Sequence, residues 1–174
     1  MHAIVRNSMA NIPGYRKSAA LSPDGRYRWW LRRQWHGGNN QVVCFIMLNP
    51  STADASVDDP TIRRCVGFAR DWGYSTLSVR NLFPYRATHP KDLLIALDPA
   101  GGDRGENELL AGLTAHLTVL AWGAFVPFER QAKVLYLFRS VFRGKLLYCL
   151  GLTKKEFPRH PLYVRKTQQL ILYR

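Results

Sequence analysis

The stretch VVCFIMLNPSTAD, residues 42–54, governs how the rest of the chain is read. Val42 to Leu48 is the longest apolar run. It is far short of the ~20 residues needed to span a membrane and reads as a strand buried on both faces. It stops abruptly at Asn49-Pro50-Ser51-Thr52-Ala53-Asp54, a polar loop. Downstream, Asp59-Pro60 is a helix start, with Asp59 as N-cap and Pro60 in the first position. Ile62, Cys65, Val66 and Ala69 follow at helical spacing, and Gly73 ends the helix. Thr76 to Phe83 is the next strand. A short helix begins at Pro90, and a longer one covers Asp103 to His116. A short strand, Thr118 to Trp122, is stopped by Gly123. Phe128 to Phe142 reads as a helix and Lys145 to Leu150 as a strand stopped by Gly151. Such alternation implies an α/β fold, with helices on both faces of a mainly parallel sheet.

Upstream, RYRWWLRRQW (residues 26–35) reads as a strand of period two. Tyr27, Trp29, Leu31 and Trp35 share one face, with Arg33 as an exception. Arg26, Arg28, Trp30, Arg32 and Gln34 share the other. His36 to Asn40 is a loop, so this strand and Val42–Leu48 are expected to pair as a hairpin that feeds the central strand. Residues 1–20 are expected to be loosely ordered, and residues 21–174 to form a single α/β domain.

The 174 residues fit one domain. A hydrophobic content of 47% excludes a disordered or collagen-like chain. The formal net charge is +13. It is concentrated at the ends, with +6 over residues 1–40, −2 over 41–110 and +9 over 111–174. This pattern suits a polyanionic partner, nucleic acid (DNA before RNA) or a nucleotide, rather than a membrane. Met1 to Pro13 has no continuous apolar core, so no signal peptide is expected there. Cys44, Cys65 and Cys149 fit neither a disulfide framework nor a metal ligand set, and read as buried thiols of a cytoplasmic protein. There is no P-loop, no GxSxG elbow and no HExxH. No cofactor or metal is expected.

In parallel sheets the chemistry lies beyond the carboxyl ends of the strands, which directs attention to three loops. The first holds Asn49, Pro50, Ser51, Asp54, Asp58 and Asp59. The second holds Asn81, Phe83, Tyr85 and Arg86. The third, residues 151–162, holds Lys154, Lys155, Arg159 and His160. Asn can match a base edge, His can donate a proton and Arg can bind phosphate. Each also has a plainer reading. Asn49 ends a strand in a turn, Asp54 is a loop residue, Asp59 caps a helix, Asn81 bonds backbone, and His160 lies on a surface loop. Arg26, Arg28, Trp30 and Arg32 form either a nucleic-acid-binding face or a solvated sheet face with cation–π pairs.

The ordered motifs FIMLNPSTAD, DDPTIRRC, WGY, NLFPYRAT, VLAWG and CLGLT…PRHPLYV resemble the domain-of-unknown-function family 1643, a set of bacterial and phage proteins. The likeness covers about Leu21 to Val164. A more distant resemblance is to the uracil-DNA glycosylase superfamily, whose members are three-layer α/β/α sandwiches around a short parallel sheet. Here Met47-Leu48-Asn49-Pro50 resembles the first-strand loop, with Met47 in place of glycine. Asn81 resembles the strand-end Asn, and Val119 to Gly123 the apolar strand ending in Gly. His160-Pro161-Leu162 resembles the last loop, with Leu162 in place of serine. The iron–sulfur cysteines of some branches are absent.

That resemblance implies a glycosylase-like protein with an N-terminal hairpin added, which recognises or removes a normal or modified nucleobase. Asn49 would position water with help from Asp54. His160 would stabilise the departing base, and Asn81 would read its edge. Phe83 or Tyr85 would stack on it, with Pro50, Ser51 and Arg86 around it. Arg26, Arg28, Trp30, Arg32, Lys154, Lys155 and Arg159 would hold nucleic acid. The alternatives are a non-catalytic nucleic-acid-binding module and an enzyme acting on free nucleotides or nucleosides.

Overall fold

The computed structural model describes residues 4–9, 14–51 and 53–174. Eight strands form one sheet: β1 (Ile4–Met9), β2 (Tyr15–Leu21), β3 (Arg28–Trp35), β4 (Val42–Met47), β5 (Thr76–Asn81), β6 (Leu117–Leu120), β7 (Tyr148–Cys149) and β8 (Ile171–Leu172). Three helices flank it: α1 (Pro60–Asp71), α2 (Gly102–Ala111) and α3 (Phe128–Val141). Strand β4 shows why its sequence is apolar throughout. Val43, Phe45 and Met47 enter one core, while Cys44, Ile46 and the following Leu48 enter the other. Both sheet faces are covered, so neither set of side chains can be polar.

Helix α1 covers the first core with Ile62, Cys65, Phe68 and Ala69. Its start follows the local chemistry. The Asp59 carboxylate accepts the Ile62 N–H at 2.8 Å, and Pro60 occupies a position whose N–H needs no partner. Burying a side chain such as Ile62 or Phe68 stabilises the fold by about 1.5–3 kcal/mol. Helices α2 and α3 cover the second core through Leu109, Val134 and Phe138. The result is a mixed α/β fold with helices on both faces.

The sheet order is β1-β2-β3-β5-β4-β6-β7-β8. Strands β5, β4, β6 and β7 run parallel. The chain leaves β4 through α1 to reach β5 on one side, then crosses to β6 on the other. The carboxyl ends of β4 and β6 therefore bound the crevice where such sheets bind ligands.

Three expectations need correction. The sheet is mixed rather than mainly parallel, because β1–β2, β2–β3, β3–β5 and β7–β8 pair antiparallel. Strands β3 and β4 do not form a hairpin. Both edges of β4 are taken by its parallel partners β5 and β6, so β3 pairs instead with the outer edge of β5, Leu31 opposite Val79. Within the N-terminal segment expected to be loose, Ile4–Met9 and Tyr15–Leu21 form β1 and β2. The antiparallel ladder onto β3 provides the hydrogen bonds that order this segment. Residues 1–3 and 10–13 lie outside the described residues.

Candidate active site

A cavity of about 450 Å³ opens at the carboxyl ends of β4, β5 and β6. Met47, Leu48, Asn81 and Trp122 contribute from the strand ends, and Asp59 and Thr61 from the start of α1. Arg159, His160 and Tyr163 come from the loop after β7. Three long-range contacts draw these loops together. The Asn49 amide nitrogen donates to Ala87 O at 2.7 Å and to Pro50 O at 3.0 Å, joining the loops after β4 and β5. Gly123 N–H donates to Pro158 O at 2.8 Å, joining the loops after β6 and β7. Arg64 of α1 donates to Pro161 O at 3.3 Å and also to Val164 O, pinning the His160 turn to the helix.

Asn81 is the most unusual group in this cavity. It is only 4% exposed, and neither Nδ2 nor Oδ1 has a hydrogen-bond partner among the described residues. An unpaired buried amide is destabilising by about 1–3 kcal/mol. It presents a donor and an acceptor side by side to whatever fills the cavity. The plain reading, an Asn bonded to backbone, does not hold among the described residues.

His160 is also set in a defined state. Its Nδ1 accepts the Leu162 N–H at 3.3 Å, which assigns the proton to Nε2 and makes that nitrogen a donor. Burial holds its pKa below the ordinary 6.5, with the nearby Asp59 partly opposing. The imidazole is therefore neutral near pH 7. In Asn49 both amide hydrogens go to carbonyls, so Oδ1 is the atom the side chain offers to a ligand.

Arg28 belongs to this cavity rather than to an outer basic face. Across the ladder from β2 to β3, Ala20 faces Trp30 and Leu21 faces Arg28, so Trp29 is an extra residue. This bulge breaks the alternation and turns Arg28 inward. Arg28 is 3% exposed, and Nη1 donates to Ala53 O at 2.6 Å. Its Nε has no partner, and it forms no ion pair among the described residues. Burial pushes its pKa down to about 10, with Asp59 opposing.

The remaining expected residues divide clearly. Asn49, Ser51, Asn81, Arg159 and His160 line the cavity. Asp54 does not. Its Oδ1 accepts from Ser56 N, Ser56 Oγ and Val57 N at 2.7–2.9 Å, closing a turn. Burial raises the Asp54 pKa, but those donors outweigh it and hold the carboxyl below its usual range. Asp59, read from sequence as a cap, is the carboxylate that lines the cavity. Pro50 is not in the lining; its carbonyl accepts from the Asn49 side chain and from Ala87 N. Phe83, Tyr85 and Arg86 also lie outside it. Their segment pairs with residues 26–28 through Arg28 N to Pro84 O and Arg86 N to Arg26 O. Phe83 is buried beneath Arg130, Tyr85 packs edge-on to Tyr27, and Arg86 donates to Gly25 O. The aromatic groups at the cavity are instead Trp122, Phe125 and Tyr163, the last two each 74% exposed.

The expected nucleic-acid face does not form one strip. Arg26 is exposed and paired with Asp24 at 2.5 Å. Trp30 and Arg32 line a separate depression on the α2 side, where Arg80 lies over the Trp30 ring. Lys154 and Lys155 are exposed on the turn that precedes Arg159. Trp122 and Phe125 escape a sequence reading confined to the loops after β4, β5 and β7. The same strand-end rule applied to Trp122-Gly123 finds them. No sequence signal marks the bulge that moves Arg28.

A family model described as "Protein of unknown function (DUF1643)" matches residues 28–162. No curated protein and no solved structure matches the chain.

Proposed function

The chain belongs to the DUF1643 family, whose description assigns no activity, and we propose from the cavity itself that this is a glycosylase-like protein that recognises a nucleobase. The observation that carries the reading is the buried, unpartnered Asn81 amide at the strand ends. A side-by-side donor and acceptor matches the polar edge of a base. A base that fills the cavity would supply the hydrogen bonds that Asn81 lacks among the described residues. Phe125 and Tyr163 offer rings on which a base can stack as it enters.

The same groups suit cleavage of a glycosidic bond. In that reaction the electrons of the sugar C1′–N bond move onto the departing base, while a water oxygen bonds to C1′. His160 Nε2–H donates to the base as negative charge grows there. Asn49 Oδ1 orients the water. Asp59, the acidic residue in the cavity lining among the described residues, accepts the water proton. The cationic balance of the whole chain, +13, suits attraction of a phosphate-bearing substrate.

The test compares oligonucleotides that carry normal or modified bases with the same oligonucleotides carrying an abasic position. Tighter binding of a base-containing strand, lost by more than tenfold in Asn81→Leu, supports base recognition. Base release that falls more than tenfold in His160→Ala supports the glycosylase step. Binding without release makes the protein a recognition module. Equal binding of base-containing and abasic strands ends the proposal.

A further inference from the structure

We infer that the ligand of this cavity carries a terminal oxyanion, a phosphate monoester or a carboxylate, that pairs with the buried guanidinium of Arg28. The ring recognised by Asn81 rests on the reading above, whereas the oxyanion does not.

Three observations support this. First, Arg28 lines the cavity, is 3% exposed, and keeps Nε without a partner. Second, a guanidinium has five donors in a planar fork that matches an oxyanion, and the described residues engage the Arg28 guanidinium by one hydrogen bond, Nη1 to Ala53 O. Third, none of the acidic side chains nearby forms an ion pair with it among the described residues. Asp58 holds Arg33 at 2.6 Å and Lys17 at 3.3 Å. Asp59 caps α1 through Oδ1, and Asp54 closes its own turn. An unpaired buried cation is costly, and an incoming anion removes that cost.

The depth of Arg28 also limits the kind of anion. A phosphodiester inside a polymer continues in two directions and stays near the surface. A terminal phosphate or a carboxylate has one free end and can enter a closed site. The ligand class is therefore a free or chain-terminal nucleotide, or a base that itself bears a carboxylate.

The experiment measures affinity by calorimetry for matched pairs on the full chain. The pairs are nucleoside 5′-monophosphates against the corresponding nucleosides, and orotate against uracil. Ribose 5-phosphate serves as an anion without a base. At least one oxyanion-bearing member is expected to bind tenfold or more tightly than its neutral partner. The phosphate pairs and the orotate pair separate the two sources. In Arg28→Met that ratio falls to about one. In Asn81→Leu both members weaken while the ratio persists.

Arg28-dependent binding of ribose 5-phosphate, with no preference for any base, supports the oxyanion and overturns the base reading. Equal affinity within every pair in the unmodified protein overturns the oxyanion and leaves the base reading standing. If none of these compounds binds, the oxyanion inference falls, while the base reading is decided by the comparison of base-containing and abasic strands. The comparison on the unmodified protein decides the matter even if Arg28→Met does not fold.

Discussion

Two arginines on β3, Arg28 and Arg33, are both buried and have opposite surroundings. Arg33 is completely buried. Its Nε donates to Asp58 at 2.6 Å, and its terminal nitrogens reach the carbonyls of Ser18, Arg32, Asp54 and Val57. Arg28 has one side-chain hydrogen bond and no ion pair among the described residues. Arg33 closes a structural network that ties the antiparallel strands to the loop before α1. Arg28 faces a cavity with Nη1 bonded to Ala53 O and Nε without a partner among the described residues. Burial alone therefore does not distinguish a fully bonded charge from one with donors to spare; the hydrogen-bond partners do.

The largest effect is expected where the network is complete. Arg33→Met leaves Asp58 without its main partner, and loss of one member of such a pair is destabilising by about 3–5 kcal/mol. Chemical denaturation should show this as a fall in midpoint with unchanged slope. A loss below about 1 kcal/mol would erase the contrast between the two arginines.

Asn81→Leu should act in the other direction. Removing an amide that has no partner is expected to stabilise the free protein by about 1 kcal/mol while base binding falls more than tenfold. Denaturation and calorimetry on the same sample test this together. Destabilisation would mean that Asn81 is satisfied in solution, for instance by ordered water.

For Arg28→Met the expected stability change is within about 1 kcal/mol of zero. The lost bond to Ala53 O is offset by removal of an unpaired buried cation. Its signature is a loss of anion affinity rather than of midpoint.

The smallest effect concerns pH. The folded-state pKa of His160 lies below 6.5, because burial disfavours the charged ring. As pH falls, the unfolded chain takes up this proton first. The contribution of His160 is therefore complete above about pH 6.5 and is lost as pH falls through the folded-state value. His160→Gln should flatten this part of the stability–pH curve. An unchanged curve would place the ring in water rather than against Asp59 and Tyr163.

Much of the site is legible in residue order. One rule applied to strand ends picks out Asn49, Ser51, Asn81, Arg159 and His160, and all five line the cavity. The rule works because parallel strands bring their following loops to one edge. It fails for Phe83, Tyr85 and Arg86. Their segment spends its backbone groups on residues 26–28, with Tyr27 bridging Tyr85. That pairing joins segments far apart in the chain, so no local pattern reveals it. The rule also favours Asp54 over Asp59. Both follow β4, and only the turn closed by Ser56 and Val57 separates their roles.

Local chemistry along the chain specifies the elements. The apolar run at Val42 dictates a strand covered on both faces, Asp59-Pro60 dictates where α1 begins, and the strand ends dictate where polar loops gather. These depend on side-chain periodicity and backbone preference within a few residues. Three other features emerge only from the packed molecule: β5 lies between β3 and β4, a bulge turns Arg28 inward, and Asn81 is buried without a partner among the described residues. Each of those depends on which distant segments compete for the same strand edge or the same donor, and that competition is resolved only when the whole chain packs.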